Sequence, residues 1–517
     1  MNTNKSRILI LTSIFISLII IWIIGFNYHG FFKNKDNMDY AQMGREVKKG
    51  NGFSTTQLFP GQLRYLQEKG FLKKKNIPNL YRFPLPILSN TLFQFIVKNP
   101  VKANIIQSGF WMLLTIPFIF LIVSKFSGIF PGIIASLFFY LDSFVISYNG
   151  MGETLTVFLV VLLFYFVLKE KKDNFFLQGM LLGLITLSRS TFLILLPLFI
   201  IFYLAERAKL KKILILFTGF IIIFSGWMIR NITLTGSPLF SLSNIRLIEI
   251  PHAEGRIDPF YTLEMDYSTF DLILKNKDHL LDKTGSNMVK FFSIKFWRKN
   301  ISVSFYFLLL LIIFYFFIKD EFLKKRAALF FLLFLSTFIV YAPFLLTRRY
   351  LIPLKPLILI FFVIFSQRIL AVLRSKIKVN SILLYSILLV FTFGMITSWD
   401  LEYKKITKFI SGKRPDKRLH SLDKLGKIVK GKVVLSDISY RIALFCDTRA
   451  VRAPIDPTEI SEIDAGYLKI DYIVLSKKLP LKMRKNYKRF FREKLYSENF
   501  SIVDSFKGIH VLKRREE

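Results

Sequence analysis

Asp36 and Asp39 stand in the run Asp36-Asn37-Met38-Asp39-Tyr40-Ala41-Gln42-Met43-Gly44-Arg45, at a spacing that a helix brings onto neighbouring faces. Two carboxylates so placed can draw a proton from a hydroxyl or share a divalent cation, and Tyr40 and Arg45 lie on the same short stretch. Two acids alone are a weak metal signal, and the same residues also fit the solvated start of a loop helix. The rest of the chain supplies further charged groups that separate these readings. They are Arg82 in Tyr81-Arg82-Phe83-Pro84-Leu85-Pro86, Glu153 after Gly150 and Gly152, Arg189, Arg230 at the end of Gly226-Trp227-Met228-Ile229-Arg230, and the pair Arg348 and Arg349.

The elements that position these groups are membrane spans. With 53% hydrophobic and 16% aromatic residues over 517 positions, the chain is too apolar for an ordinary soluble domain. A formal charge of +38 would suggest a nucleic-acid partner in a soluble protein; here the basic residues fall between apolar runs, so anionic lipid headgroups are the expected partners and nucleic acid is not. The single cysteine, Cys446, excludes an intrachain disulfide.

The first apolar run, Ile8 to Phe26, follows Lys5 and Arg7 and reads as a retained first span with a cytoplasmic amino terminus. A loop from Asn27 to Ala103 separates it from the second, Asn104 to Val123. Its segment Pro86 to Ile96 is apolar enough to lie along a membrane surface. Further spans read as Gly128 to Ile146, Glu153 to Leu168, Phe175 to Leu187, Phe192 to Leu204, Ile213 to Ile229, Val303 to Ile318, Ala328 to Leu346, Leu351 to Phe365 and Ile382 to Ile396. Hydropathy thus gives about eleven helices.

With the amino terminus inside, nearly all the short inner connections are rich in Lys or Arg, as the positive-inside rule requires. Asp36, Arg82, Glu153, Arg189, Arg230, Arg348 and Arg349 then all fall on the outer side. Any one arginine can be read as snorkelling from a helix end; the collection of charged groups on one side points to a site. After Ile396 the composition changes, and Lys432 to Leu435, Ala443 to Phe445, Tyr472 to Leu475 and His510 to Leu512 read as strands of a small α/β domain. The expected fold is a multi-pass α-helical membrane protein. Residues 1–398 form its membrane domain, with outer loops 27–103 and 230–300, and 399–517 an extracytoplasmic α/β domain. His252, Asp258, Glu264 and Asp266 in the second loop form no visible metal-ligand cluster.

The motifs resemble those of polyprenyl-phosphate-dependent glycosyltransferases of the GT-C class, a family 39-like group that includes the protein O-mannosyltransferases and the aminoarabinose transferase of lipid A. Asp36 to Ala41 with Arg45 and Glu46 is similar to the first outer-loop motif. Arg82-Phe83-Pro84-Leu85, Gly183-Leu184 to Arg189, Trp227 to Asn231 with Gly236 to Pro238, and Arg349-Tyr350-Leu351-Ile352-Pro353 follow in order. The usual motif has an acid directly after the first Asp, whereas here Asn37 follows and Asp39 is the second acid. The base is therefore Asp36 or Asp39, and the spacing favours Asp36.

The resemblance implies transfer of a sugar from a polyprenyl-phosphate-linked donor to a protein, lipid or glycan acceptor at the outer membrane face, with inversion. Asp36 would serve as base. Tyr40, Arg82, Glu153, Arg189, Arg230, Arg348 and Arg349 would bind substrate, the arginines suiting the departing phosphate. No certain cofactor follows, although Asp36 and Asp39 leave a divalent metal open. A Gly-rich nucleotide loop is missing, which argues against a nucleotide-sugar donor. A transporter or flippase of lipid-linked sugars is the alternative from another class, and a membrane-anchored scaffold the third.

Overall fold

The computed structural model describes residues 3–28, 35–148, 152–169, 174–243, 273–292, 311–343, 351–377, 418–476, 479, 481–506 and 509–515. In chain order the elements begin with α1 (Thr3–Tyr28), α2 (Lys35–Lys48), β1 (Gln57–Leu58), α3 (Pro60–Glu68), α4 (Pro84–Ile96) and α5 (Pro100–Ser127). There follow α6 (Ile129–Ser147), α7 (Glu153–Val167), α8 (Phe175–Ser188), α9 (Leu195–Ala205), α10 (Leu210–Thr235), α11 (Lys277–Phe292), α12 (Glu321–Tyr341) and α13 (Lys355–Ile377). The last stretch holds α14 (Arg418–Val429), β2 (Val433–Ser436), α15 (Ser439–Phe445), β3 (Arg449–Arg452), α16 (Glu459–Glu462), β4 (Tyr472–Ser476), α17 (Leu481–Arg492), β5 (Phe500–Phe506) and β6 (Ile509–Arg514). Two compact units share these elements: Met1–His29, Ile105–Leu239 and Lys283–Lys413 form the first, and Gly30–Asn104, Phe240–Asp282 and Arg414–Glu517 the second.

The first unit is helical and apolar. Among the described residues, Pro100–Ser127, Leu210–Thr235 and Ile352–Ala371 are long and apolar enough to cross a membrane, with shorter apolar helices beside them. The chain is a multi-pass membrane protein. Of the expected spans, Ile382 to Ile396 and the first half of Val303 to Ile318 lie outside the described residues. The span expected from Phe192 opens with a 3-10 turn, Ser190–Ile194, before α9. The turn signal after α10 is present: Gly236 sits at φ 82°, and its N–H donates to the Ile232 carbonyl at 2.8 Å.

Glycines set how closely these helices approach. A Cβ on Gly179 of α8 would stand 1.9 Å from the Leu216 carbonyl oxygen of α10, and one on Gly219 would stand 2.3 Å from the Phe176 carbonyl oxygen. Gly183 lies one turn on against Ile223. The seam is a small-residue crossing of the kind that lets helix backbones touch where lipid supplies no hydrophobic drive. Elsewhere in the unit, Gly109 makes room for the Trp22 ring, which stacks on Tyr148 at 5.3 Å and donates from Nε1 to the Ser147 hydroxyl at 3.0 Å.

The second unit is built on one six-stranded sheet of order β1-β3-β2-β4-β6-β5. Strands β1 to β4 pair in parallel, while β6 and β5 close the sheet antiparallel. The strand expected at Ala443 to Phe445 is helix α15 instead. Parallel β2 and β3 need a crossover between them, and a three-residue apolar run cannot distinguish a strand from the inner face of that helix. Strand β3, Arg-Ala-Val-Arg, offers too short an apolar pattern to be read. The edge strand β1 comes from the first loop, Gln57 pairing with Ala450 and Leu58 with Val451.

Because the Gly179 position is filled by backbone, Gly179→Val must push α8 and α10 apart. The expected loss is about 1–3 kcal/mol. Thermal unfolding of the purified protein in detergent measures it; an unchanged midpoint would mean that the seam is not packed as described.

Candidate functional site

Helix α2 presents Asp36 and Asp39 toward one guanidinium. Arg82 donates from Nη2 to Asp36 Oδ1 at 2.6 Å and from Nε to Asp39 Oδ2 at 2.8 Å. Its plane also lies 5.1 Å from the Tyr40 ring and 4.7 Å from the Tyr81 ring. Four of the residues expected at the site, Asp36, Asp39, Tyr40 and Arg82, are thus brought together within the second unit. Tyr81 joins them, and its one signal in the sequence is its place beside Arg82.

The loop that delivers Arg82 is fixed by Asn79. Its Oδ1 accepts from the Tyr81 and Arg82 N–H groups at 3.0 and 2.9 Å, and its Nδ2 donates to the Arg82 carbonyl at 2.9 Å. This side-chain turn leaves the chain extended at Phe83 and ready to enter α4 at Pro84, where a missing N–H costs nothing. Asn79 is 1% exposed and was not singled out from the sequence, because its role is local backbone capping of a residue several positions on.

Packing holds α2 in register with the loop. Gly44 lies against α4, where a Cβ would stand 2.4 Å from Asn90 Oδ1; Gln94 donates to the Ala41 carbonyl at 2.9 Å. On another face Arg45 donates to the Leu444 and Ala443 carbonyls at 2.6 and 2.9 Å, satisfying the end of α15, and pairs with Asp447 at 2.9 Å. Glu46 accepts from Arg45 and, at 2.7 Å, from Asn51. Arg45 and Glu46 therefore anchor the helix that carries the acids.

Burial and charge act against each other here. Burial works against the Arg82 charge, yet Asp36 and Asp39 hold the guanidinium protonated well above its ordinary range. For Asp39 burial is the larger influence. It keeps the carboxyl above the usual value of 3.8 although Arg82 draws it down, and Asp36 adds to the rise.

The donor set does not fit a resident divalent ion. The facing carboxylate oxygens already accept from a guanidinium, whose charge would repel a cation placed between them. Among the described residues no group of three or more His, Cys, Asp or Glu side chains gathers to complete a coordination shell.

In the first unit, Glu153 and Arg189 form an ion pair between Nη2 and Oε1. Glu153 is 2% exposed at the first residue of α7, where the helix dipole favours an acid, and Arg189 follows the last turn of α8. Hydroxyls bind the same ends, Thr156 to Ser188 at 3.0 Å and Thr154 to Ser108 at 3.1 Å. Arg230 packs over Trp227 at 4.5 Å, and its Nη1 approaches Asn231 Oδ1 at 3.3 Å. Arg348 and Arg349 lie outside the described residues, as do His252, Asp258, Glu264 and Asp266.

No protein-family model and no curated protein matches the sequence. Among solved structures the chain is similar to ArnT from Cupriavidus metallidurans bound to undecaprenyl phosphate, at 10% identity over 98% of both chains with a TM-score of 0.53. The apo state of that protein gives 9% identity over 99% of this chain and 98% of that one, with a TM-score of 0.54. The Archaeoglobus fulgidus oligosaccharyltransferase in complex with zinc and sulfate is similar at 12% identity over 89% of this chain and 68% of that one, with a TM-score of 0.56. At these identities the likeness is one of fold: the chain shares the overall architecture of these proteins.

Arg82→Gln should leave Asp39 buried beside Asp36 with no cation between them, at an expected cost of about 3–5 kcal/mol near neutral pH. The sign follows from a carboxyl raised by burial. The variant's lost stability should return as pH falls toward 3.8, where Asp39 is protonated, and disappear as pH rises through the raised folded value. Melting curves of wild type and variant between about pH 4 and about pH 8 test this; a deficit that does not shrink in acid refutes the assignment.

Proposed function

We propose that the chain is a membrane glycosyltransferase that moves a sugar from a polyprenyl-phosphate-linked donor to an acceptor hydroxyl at the outer face, with inversion at the anomeric carbon. The observation that carries this reading is the Asp36–Arg82–Asp39 cluster, flanked by Tyr40 and Tyr81, in a chain that shares the overall architecture of ArnT. The lipid class is supported by the similar ArnT, which was solved with undecaprenyl phosphate bound.

Such a transfer asks for a base, a cation for the phosphate and a means of keeping the two from neutralising each other. Asp36 is the better placed base, since its side chain is 19% exposed against 6% for Asp39. Asp39, buried and bonded to Arg82 Nε, serves as the fixed arm of the pair. A donor phosphate competing for the Arg82 guanidinium would draw it from Asp36 and so raise the proton affinity of the freed carboxylate. Asp36 then takes the proton of the acceptor hydroxyl as its oxygen bonds to the anomeric carbon. The bond from that carbon to the phosphate oxygen breaks, and the electron pair leaves on polyprenyl phosphate. Within the first unit, Arg189 is a further guanidinium of the kind a phosphate takes, held in place by Glu153.

The test is sugar transfer from a radiolabelled polyprenyl-phosphate donor pool in membranes holding wild type, Asp36→Asn or Asp39→Asn at matched expression. Asp36→Asn should lose about 10²-fold or more in rate, the scale of a general base, and Asp39→Asn should lose less. A wild type that moves lipid-linked sugar across the bilayer without transferring it, with neither substitution mattering, would instead identify a flippase.

A further inference from the structure

Helices α7 and α8 have a second pair of ends, opposite those that carry Glu153 and Arg189 and about 21 Å away along α7. There the first unit has a half-open cavity of about 410 Å3 between the last turns of α7 and α9 and the first turns of α8, α10 and α12. Among the described residues, Lys169, Arg207, Lys209, Lys212 and Arg326 line it, with one acid, Glu206, which pairs with Arg326. Three of the connections that the charge pattern puts on the expected inner side, Lys169 to Asp173, Ala205 to Lys212 and Lys319 to Ala327, contribute residues to this lining.

Its hydrogen-bonding groups are set for an acceptor that the protein does not supply. Asn174 Nδ2 and Arg326 Nε are both buried without a hydrogen-bond partner. Asn174 occupies the N-cap position of α8, where an asparagine ordinarily bonds back to its own helix, yet it makes no such bond; the N-cap of α10 is a lysine, Lys209. First-turn N–H groups of long helices, guanidinium and ammonium groups and an amide donor thus share one cavity.

The backbone carries an independent sign. After α9 the chain closes with Arg207 N–H donating to the Leu204 carbonyl and Ala208 N–H to the Tyr203 carbonyl, both at 2.9 Å, and Arg207 is held at φ 56°. That left-handed position favours glycine. An arginine is kept there against the local preference, and it lines the cavity.

We infer that this cavity binds one net-negative phosphate group, either the headgroup phosphate of an anionic lipid or a free phosphate ion. The inference does not depend on the transfer reaction. The cavity is half-open and has room for such a group. With Glu206 engaged by Arg326, the remaining cations find no second acid among the described lining residues.

Thermal unfolding of the purified full-length protein in detergent, titrated with inorganic phosphate, short-chain phosphatidylglycerol or short-chain phosphatidylcholine, tests the site. Phosphatidylglycerol should raise the wild-type midpoint at lower concentration than phosphatidylcholine. A rise with inorganic phosphate as well identifies a free-ion site, and a rise with the lipid alone a headgroup site. Arg207→Gly relieves the backbone, so without ligand it should melt at or above the wild type while its half-saturating concentration rises about tenfold. Lys209→Gln should weaken binding in the same direction. No rise with either anion, an equal rise with phosphatidylcholine, or an unchanged titration in both variants would overturn the inference.

Discussion

A guanidinium buried between two carboxylates is the constraint on which the second unit is arranged. Arg82 reaches Asp36 and Asp39 from a loop 43 residues beyond the nearer acid, and every group near it adjusts to that meeting. Asn79 turns the loop, Pro84 starts the next helix, Gly44 lets α4 close on α2, and Arg45 ties α2 to the end of α15. Ion pairs of this kind contribute little net stability, because desolvation offsets most of their attraction. What they supply is definition: the acids cannot leave one another's company without exposing a buried charge to none of its partners.

The part of this legible in the sequence was the part written locally. Asp36 and Asp39 at helical spacing, the aromatic beside the second acid, and a basic residue in a proline-rich loop are patterns of near neighbours. The long apolar runs announced themselves in the same way, and so did the strands at Val433, Tyr472 and Ile509. Hidden from such reading were the relations between distant residues: that one arginine would bridge both acids, or that Gly44 is small because Asn90 lies against it. Arg45 looked like part of the chemistry, yet its hydrogen bonds go to backbone carbonyls almost 400 residues away. Ala443 to Phe445 misled for a related reason, since only the parallel pairing of β2 with β3 requires a helix between them.

The first unit follows a different economy. Burying apolar surface brings no advantage in lipid, so its order comes from contacts that demand shape: the Gly179 and Gly219 crossing, the Trp22 and Tyr148 stack, and interlocked rings such as Phe330 and Phe361 at 5.3 Å. Charged groups mark several of its helix ends. Glu153 and Arg189 face each other at one end of α7 and α8, and Lys169 with Asn174 mark the other. A helix with opposed chemistry at its two ends keeps its middle free for packing alone.

Strand β1 brings time into the architecture. Gln57 is made early, but its partner Ala450 leaves the ribosome 393 residues later, which at about 5–20 residues per second is a wait of roughly 20–80 seconds. Until then the sheet lacks its edge and Arg45 lacks the carbonyls it caps, so the helix bearing Asp36 is held on its α4 side alone. The acids at the beginning of the chain can meet Arg82 early, while the second anchor of their helix is made almost 400 residues later. A ribosome that stalls before Ala443 leaves α2 with its local contacts and without the carbonyls that Arg45 caps.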